Sequence, residues 1–210
     1  MGIDRQYIFN KVAFFLKKEN KFFTSAELHM AIGVDVFRRI AEEIDYPKTE
    51  LSTYIASGVW KLSTPVDFLK IDQNREVTYQ DDSNTYVLDP KTQKKIGRHN
   101  ILNADPGTPE NYFMETESQI GIYPPGTSGS IIVPYVKIPT SLSTDAASNE
   151  IINQTYMAAT YWTVGECMLK DNDPRFTTYQ QLYNNEILRL RKRFGEMFEE
   201  VKDIEPDENY

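Results

Sequence analysis

Few residues in this 210-residue chain are of types that do chemistry, and their spacing gives that chemistry little to work with. His29 and His99 are the only histidines, they lie far apart, and neither belongs to an HExxH pattern, so the usual zinc-ligand spacing is missing. Asp72, Asn74 and Glu76 imitate the opening of a calcium loop. Val77 then stands where such a loop turns on glycine, and Ser83 where it closes on a bidentate glutamate. Gly126-Thr127-Ser128-Gly129-Ser130 has the look of a phosphate loop but no lysine, and a strand follows it instead of a helix N-terminus. A hairpin turn is the expectation there. No G-x-S-x-G elbow occurs. Cys167, the single cysteine, falls inside a predicted helix, where a small buried thiol is expected and no intrachain disulfide can form. The chain therefore reads as a non-enzyme with no cofactor and no metal. Arg189, Arg191, Lys192 and Arg193 form its densest basic cluster. It fits either a solvated helix surface or a contact with an acidic neighbour, for which Arg189 and Arg193, on one helix face, are the candidate inter-subunit residues.

The elements that would carry these residues follow from periodicity. Ile8, Val12, Phe15 and Leu16 recur at helical spacing over 4–19, with Asp4 as N-cap. Thr24 and Glu27 stand in capping-box spacing ahead of Leu28, Ile32, Val36, Ile40 and Ile44, a buried stripe that Tyr46-Pro47 ends. Short alternating runs follow, divided by turn residues. Candidate strands are 59–62, 69–72, 76–79, 85–88, 112–115, 120–123 and 130–138, with Pro134 implying an edge strand or a bulge. Helical spacing returns after Ser148. Asp173-Pro174 opens a last helix whose seam is Tyr183, Ile187, Leu190, Phe194, Met197 and Val201. The expected fold is α+β: a helical bundle from N- and C-terminal helices with an inserted small antiparallel β region. Its parts are N-terminal helices over 1–57, the β region over 58–140, C-terminal helices over 148–200 and an acidic tail over 201–210.

Composition narrows the class further. The net charge of −8 opposes wrapping of duplex DNA, which needs clustered cations. No apolar run reaches a membrane span, and the N-terminus lacks the apolar stretch of a signal peptide. Thirteen tyrosines suit either a Tyr-rich core or packed, wet subunit interfaces.

The order of short motifs adds a resemblance. Leu62-Ser63-Thr64-Pro65-Val66-Asp67-Phe68 is followed by Ile120-Gly121-Ile122-Tyr123-Pro124-Pro125. Then come Ile132-Val133-Pro134-Tyr135-Val136-Lys137-Ile138-Pro139 and Leu142-Ser143, a Tyr- and Trp-bearing helix, an Asp-rich break and a long final helix. Over residues 58–195 this resembles the head-to-tail adaptor, or connector, proteins of tailed phages. One departure is Ser63-Thr64, where the family often has proline directly after leucine. The resemblance implies a non-catalytic virion protein of the neck, assembled in the host cytoplasm. It would self-associate into a ring, commonly twelvefold, between the portal protein and the tail or a second ring protein. DNA would pass through its lumen without sequence-specific binding. In such proteins the C-terminal segment often reaches the portal, which makes Ile204, Glu205, Pro206 and Tyr210 the candidate portal-binding residues. Another neck or tail-completion component is the alternative within this class, and a host-directed binding protein the alternative outside it.

Overall fold

The structure, a computed structural model, describes residues 3–16, 32 and 35–199. It divides into two compact units, Met1–Pro47 with Ile138–Tyr210, and Lys48–Lys137. The sequence reading divides at 58 and 140; the strand over 48–55 accounts for the difference at the first boundary.

The first unit is helical. Helix α1, Arg5–Phe15, begins where the Asp4 carboxylate accepts the Tyr7 N–H at 2.8 Å, the expected cap, and buries Ile8 and Val12. Its start is tied to the returning chain. The Arg5 guanidinium donates to the Leu142 carbonyl and pairs with Asp145, and the Arg5 and Gln6 N–H groups donate to the Ala147 and Asp145 carbonyls. Helix α2, Asp35–Ile44, buries Val36, Ile40 and Ile44 as expected, and Ile32 ahead of it is buried too. Thr24, Glu27 and Leu28 lie outside the described residues. Two further helices are short and belong to the second unit: α3, Gln93–Ile96, and α4, Arg98–Asn103. Helices α5, Ile152–Lys170, and α6, Phe176–Glu199, form an antiparallel pair with α1 and α2 laid on α5, and α2 also on α6. The expected seam holds over Tyr183, Ile187, Leu190 and Phe194, all buried. Cys167 is buried in α5.

The second unit is one mixed sheet of eight strands in the order β1-β8-β4-β5-β6-β7-β2, with β3 on β8 as well. The strands are β1 Lys48–Ile55, β2 Lys61–Ser63, β3 Phe68–Ile71, β4 Val77–Gln80, β5 Thr85–Pro90, β6 Asn111–Thr116, β7 Gln119–Tyr123 and β8 Gly129–Lys137. β1 and β2 end the strand order at opposite edges, yet only five residues join them. At most about 3.8 Å per Cα step, that connection forces the sheet to curl. Ile55 from one edge and Leu62 from the other accordingly enter the same core, with Val77, Tyr79, Leu88, Ile120, Ile122, Ile131 and Val133.

This corrects the expected fold class. The chain is not a helical bundle with a small antiparallel insertion. An eight-stranded sheet, curled into a half-barrel, dominates, and it is mixed because β5 and β6 pair in parallel at Asp89↔Asn111 and Pro90↔Tyr112. Two strand features were misjudged. β1, Lys-Thr-Glu-Leu-Ser-Thr-Tyr-Ile, has too many polar residues to stand out as a strand, and Asp89-Pro90 has turn chemistry although it ends β5. Pro134 is also not on an edge. β8 pairs with β1 along one side and with β3 and β4 along the other. The Pro134 carbonyl takes the Asp72 N–H, so its backbone faces the gap between β3 and β4, where no ladder bond needs a proline N–H. The Gly126 segment is not a hairpin turn either, since β7 and β8 are not neighbours in the sheet. It crosses between them and bonds to the β1–β2 loop through Gly58 N–H to Gly126 O and Gly126 N–H to Val59 O.

The imitation calcium loop has a different task. Asp72 is 1% exposed, and its carboxylate takes the Lys48 ammonium at 3.1 Å and the Asn74 N–H at 3.1 Å. A buried ion pair clamps the start of β1 to the β3–β4 turn. Lys48→Met leaves a buried carboxylate without its cation, and chemical denaturation should show a loss of about 3–5 kcal/mol; adding Asp72→Leu should recover most of it. In the helical unit Leu190 is fully buried, so Leu190→Asp should lower the thermal midpoint sharply, a buried unpaired charge costing several kcal/mol; an unchanged midpoint would contradict its placement in the core.

Candidate interaction surface

Two of the motifs that carry the adaptor resemblance meet in space. The Tyr135 hydroxyl, on β8, donates to the Asp67 carboxylate at 3.0 Å, and the Phe68 and Tyr135 rings lie 5.4 Å apart. Burial first, then the adjacent carboxylate, pushes the Tyr135 hydroxyl up to about 12, so it stays a protonated donor near neutral pH. The intervening turn is held at both ends by Thr64 N–H to Ser118 O at 3.0 Å and Phe68 N–H to Pro65 O at 3.1 Å. At its tip Val66 is fully exposed. The third motif has its own steric reason. A Cβ at Gly121 on β7 would run into the Phe113 ring on β6, so glycine is needed for that ring to close the small core of Ile96 and Ile101.

Elsewhere on the β unit, the loops after β1, β4 and β7 border a polar hollow lined by Ser57, Asp81, Asp82, Asn84, Thr127 and Ser128. The Ser83 and Asn84 N–H groups hold Asp81 below the usual carboxylate range, and the Tyr79 and Thr127 hydroxyls share a hydrogen bond at 3.2 Å. Among the described residues, no group of three or more His, Cys, Asp or Glu side chains is placed to hold a metal ion.

On the helical unit, the Arg39 guanidinium lies 3.9 Å from the Trp162 ring centre and pairs with Glu43 at 2.9 Å, while Arg191 donates to the Glu43 carbonyl. These contacts join α2, α5 and α6. Beside them Tyr161, Trp162, Leu169 and Phe176 line a shallow groove between α5 and α6. Arg189 and Arg193 are both exposed, as the helix-face reading requires. Arg189 pairs with Glu186 one turn back at 2.9 Å, an exposed pair of little stabilising value. Ile204, Glu205, Pro206 and Tyr210 lie outside the described residues. What the sequence reading missed is β1, with its ion pair and its exposed residues Glu50, Ser52 and Tyr54. Its only signal was the weak alternation around Leu51 and Ile55.

No described helix is long and apolar enough to cross a membrane. Among the described residues the surface includes the turn at Val66, the polar loops around Asp81, the charged face of α6 and the exposed side of β1. No curated protein matches the chain. Residues 10–199 match the family described as SU10 adaptor protein, a span that includes every motif named above. The chain thus belongs to the SU10 adaptor protein family and is a structural adaptor of a tailed phage.

Proposed function

We propose that this adaptor forms a closed ring between the portal protein and the tail or a second ring protein, with the genome passing through its lumen, and that it acts without catalysing a reaction. The single observation that carries the proposal is the family match over residues 10–199. Physical support comes from charge and from the variety of surfaces. A subunit of net charge −8 repeated around a lumen gives a strongly negative field, which lets DNA slide without phosphate binding. A closed ring built from one kind of subunit needs two different patches on each copy, and the described residues present several chemically unlike surfaces.

The acidic C-terminal segment is the proposed portal anchor. Residues 199–208 set Glu199, Glu200, Asp203, Glu205, Asp207 and Glu208 against Lys202 alone, while Ile204 and Tyr210 offer apolar anchors. Ordering such a segment costs about 1–2 kcal/mol per residue, so its groove on the portal must be lined with both apolar and basic groups.

Sedimentation at micromolar concentration should find the free protein monomeric, and mixing with purified portal should give rings visible by negative-stain microscopy. Stable rings without portal would contradict this order of assembly, and no ring in either case would overturn the proposal. A chain truncated after Glu200 should lose portal binding in a pull-down; full retention would move the anchor to the helical unit, where Arg189→Glu and Arg193→Glu become the deciding variants.

A further inference from the structure

Among the described residues, no strand lies along the outer side of β1, one long edge of the sheet. Its one strand partner among the described residues is β8, in unbroken register from Lys48↔Val136 to Ile55↔Gly129. Pro134 fixes which backbone groups face which way. Its carbonyl takes the Asp72 N–H on the far side of β8, so Pro134 and the residue opposite it, Glu50, form a non-hydrogen-bonded pair. Alternation then turns the N–H and C=O of Glu50, Ser52 and Tyr54 away from β8, and all three residues are exposed. β1 contains no proline and no bulge, the usual guards of a free edge.

At the other end of the sheet β2 likewise has no strand on its outer side among the described residues. The Trp60 carbonyl takes the Ile122 N–H at 2.9 Å and the Thr64 N–H donates to Ser118 O at 3.0 Å, so even-numbered residues of β2 face β7. Lys61 and Ser63 point their backbone groups outward, and both are exposed.

We infer that the outer edge of β1 pairs with the outer edge of β2 of a second copy, so that main-chain hydrogen bonds join neighbouring subunits. This rests on the ring reading and deepens it by naming the two patches. Each copy carries both edges, so the contact is heterologous and repeats from subunit to subunit. Glu50 and Lys61 already pair on their own copy, with Arg75 at 2.7 Å and Glu115 at 3.2 Å, so it is the main chain and not charge that joins the two edges.

Proline at an outward position tests the pairing without touching the β1–β8 ladder. Ser52→Pro should leave the melting midpoint of the monomer within about 2 °C of wild type and should abolish ring formation on purified portal, counted as copies per complex by native mass. Thr53→Pro, at an inward position, should instead destabilise the monomer. Amide exchange on the wild-type assembly gives an independent readout: Glu50, Ser52 and Tyr54 should slow at least about tenfold on ring formation, whereas Thr49, Leu51 and Thr53 should already be protected in the monomer. Full rings from Ser52→Pro, or unprotected amides in wild-type rings, would overturn the edge pairing and leave the ring reading standing. Protection appearing with one adaptor copy per portal complex would overturn it in favour of a portal strand. Wild-type protein that forms no ring on portal would remove both.

Discussion

The β unit depends on the pairing of one strand, β8, along both of its sides. β1 lies along one side over eight residue pairs, and β3 and β4 share the other, separated by the Asp72 turn. A strand with neighbours on both sides ordinarily excludes proline, because a missing N–H is a missing ladder bond. Here the interruption between β3 and β4 coincides with Pro134. The same turn supplies the Asp72 N–H to the Pro134 carbonyl and the Asp72 carboxylate to Lys48. One residue therefore closes the gap in the ladder with its backbone and fixes β1 with its side chain. The motif tyrosine, Tyr135, follows directly on β8 and holds the Asp67 turn from the same strand.

The parts of this fold that were legible in the sequence are those where one physical requirement dominates. The helix seam through Tyr183, Ile187, Leu190 and Phe194 is read correctly because burial repeats at gaps of three and four, and no local chemistry competes with it. Asp4 caps α1 as expected because few side chains do that task so well. Seven of the strands lie near their expected places because turn residues delimit them. β1 was illegible because it is half solvent-facing and carries Lys48, a residue whose burial depends on Asp72, 24 positions away. Local pattern cannot report a partner so distant. Pro134 misled for the same reason: its tolerance lies in the opposing strands and not in its own.

The candidate surface was legible to a different degree. The motifs pointed to the right family, yet their order in the sequence gave no hint that Asp67 and Tyr135 would touch across 68 positions. Their contact gives the motif residues a physical meaning. Asp67 is the fixed end of a turn whose tip is the fully exposed Val66. An apolar residue on a loose loop would lose conformational freedom on docking, whereas one on a turn bonded at Thr64, Asp67 and Phe68 has already lost it. Arg189 and Arg193 were placed on the surface correctly because helix geometry alone decides it. That Arg189 would pair with Glu186 in its own helix also follows from spacing.

The two-unit arrangement raises a question of chain entropy that the register answers. The helical unit is completed only when the chain returns after the whole of Lys48–Lys137, because α1 is bonded to residues 142–147 and packs on α5. Closing a loop of that length opposes assembly of the helices, though only logarithmically with its length. The insertion removes this cost within itself. Its first residue, Lys48, lies opposite Val136, the last residue but one, so once β1 and β8 pair, the two ends of the insertion are adjacent strands of one sheet. The helical unit then meets a short connection in place of a long loop. The Lys48–Asp72 ion pair sits at this junction and holds the first residue of the insertion in place. A strand that the sequence reading missed is thus the one that brings the two ends of the insertion together, and this gives β1 a folding role that is independent of any partner on its outer edge.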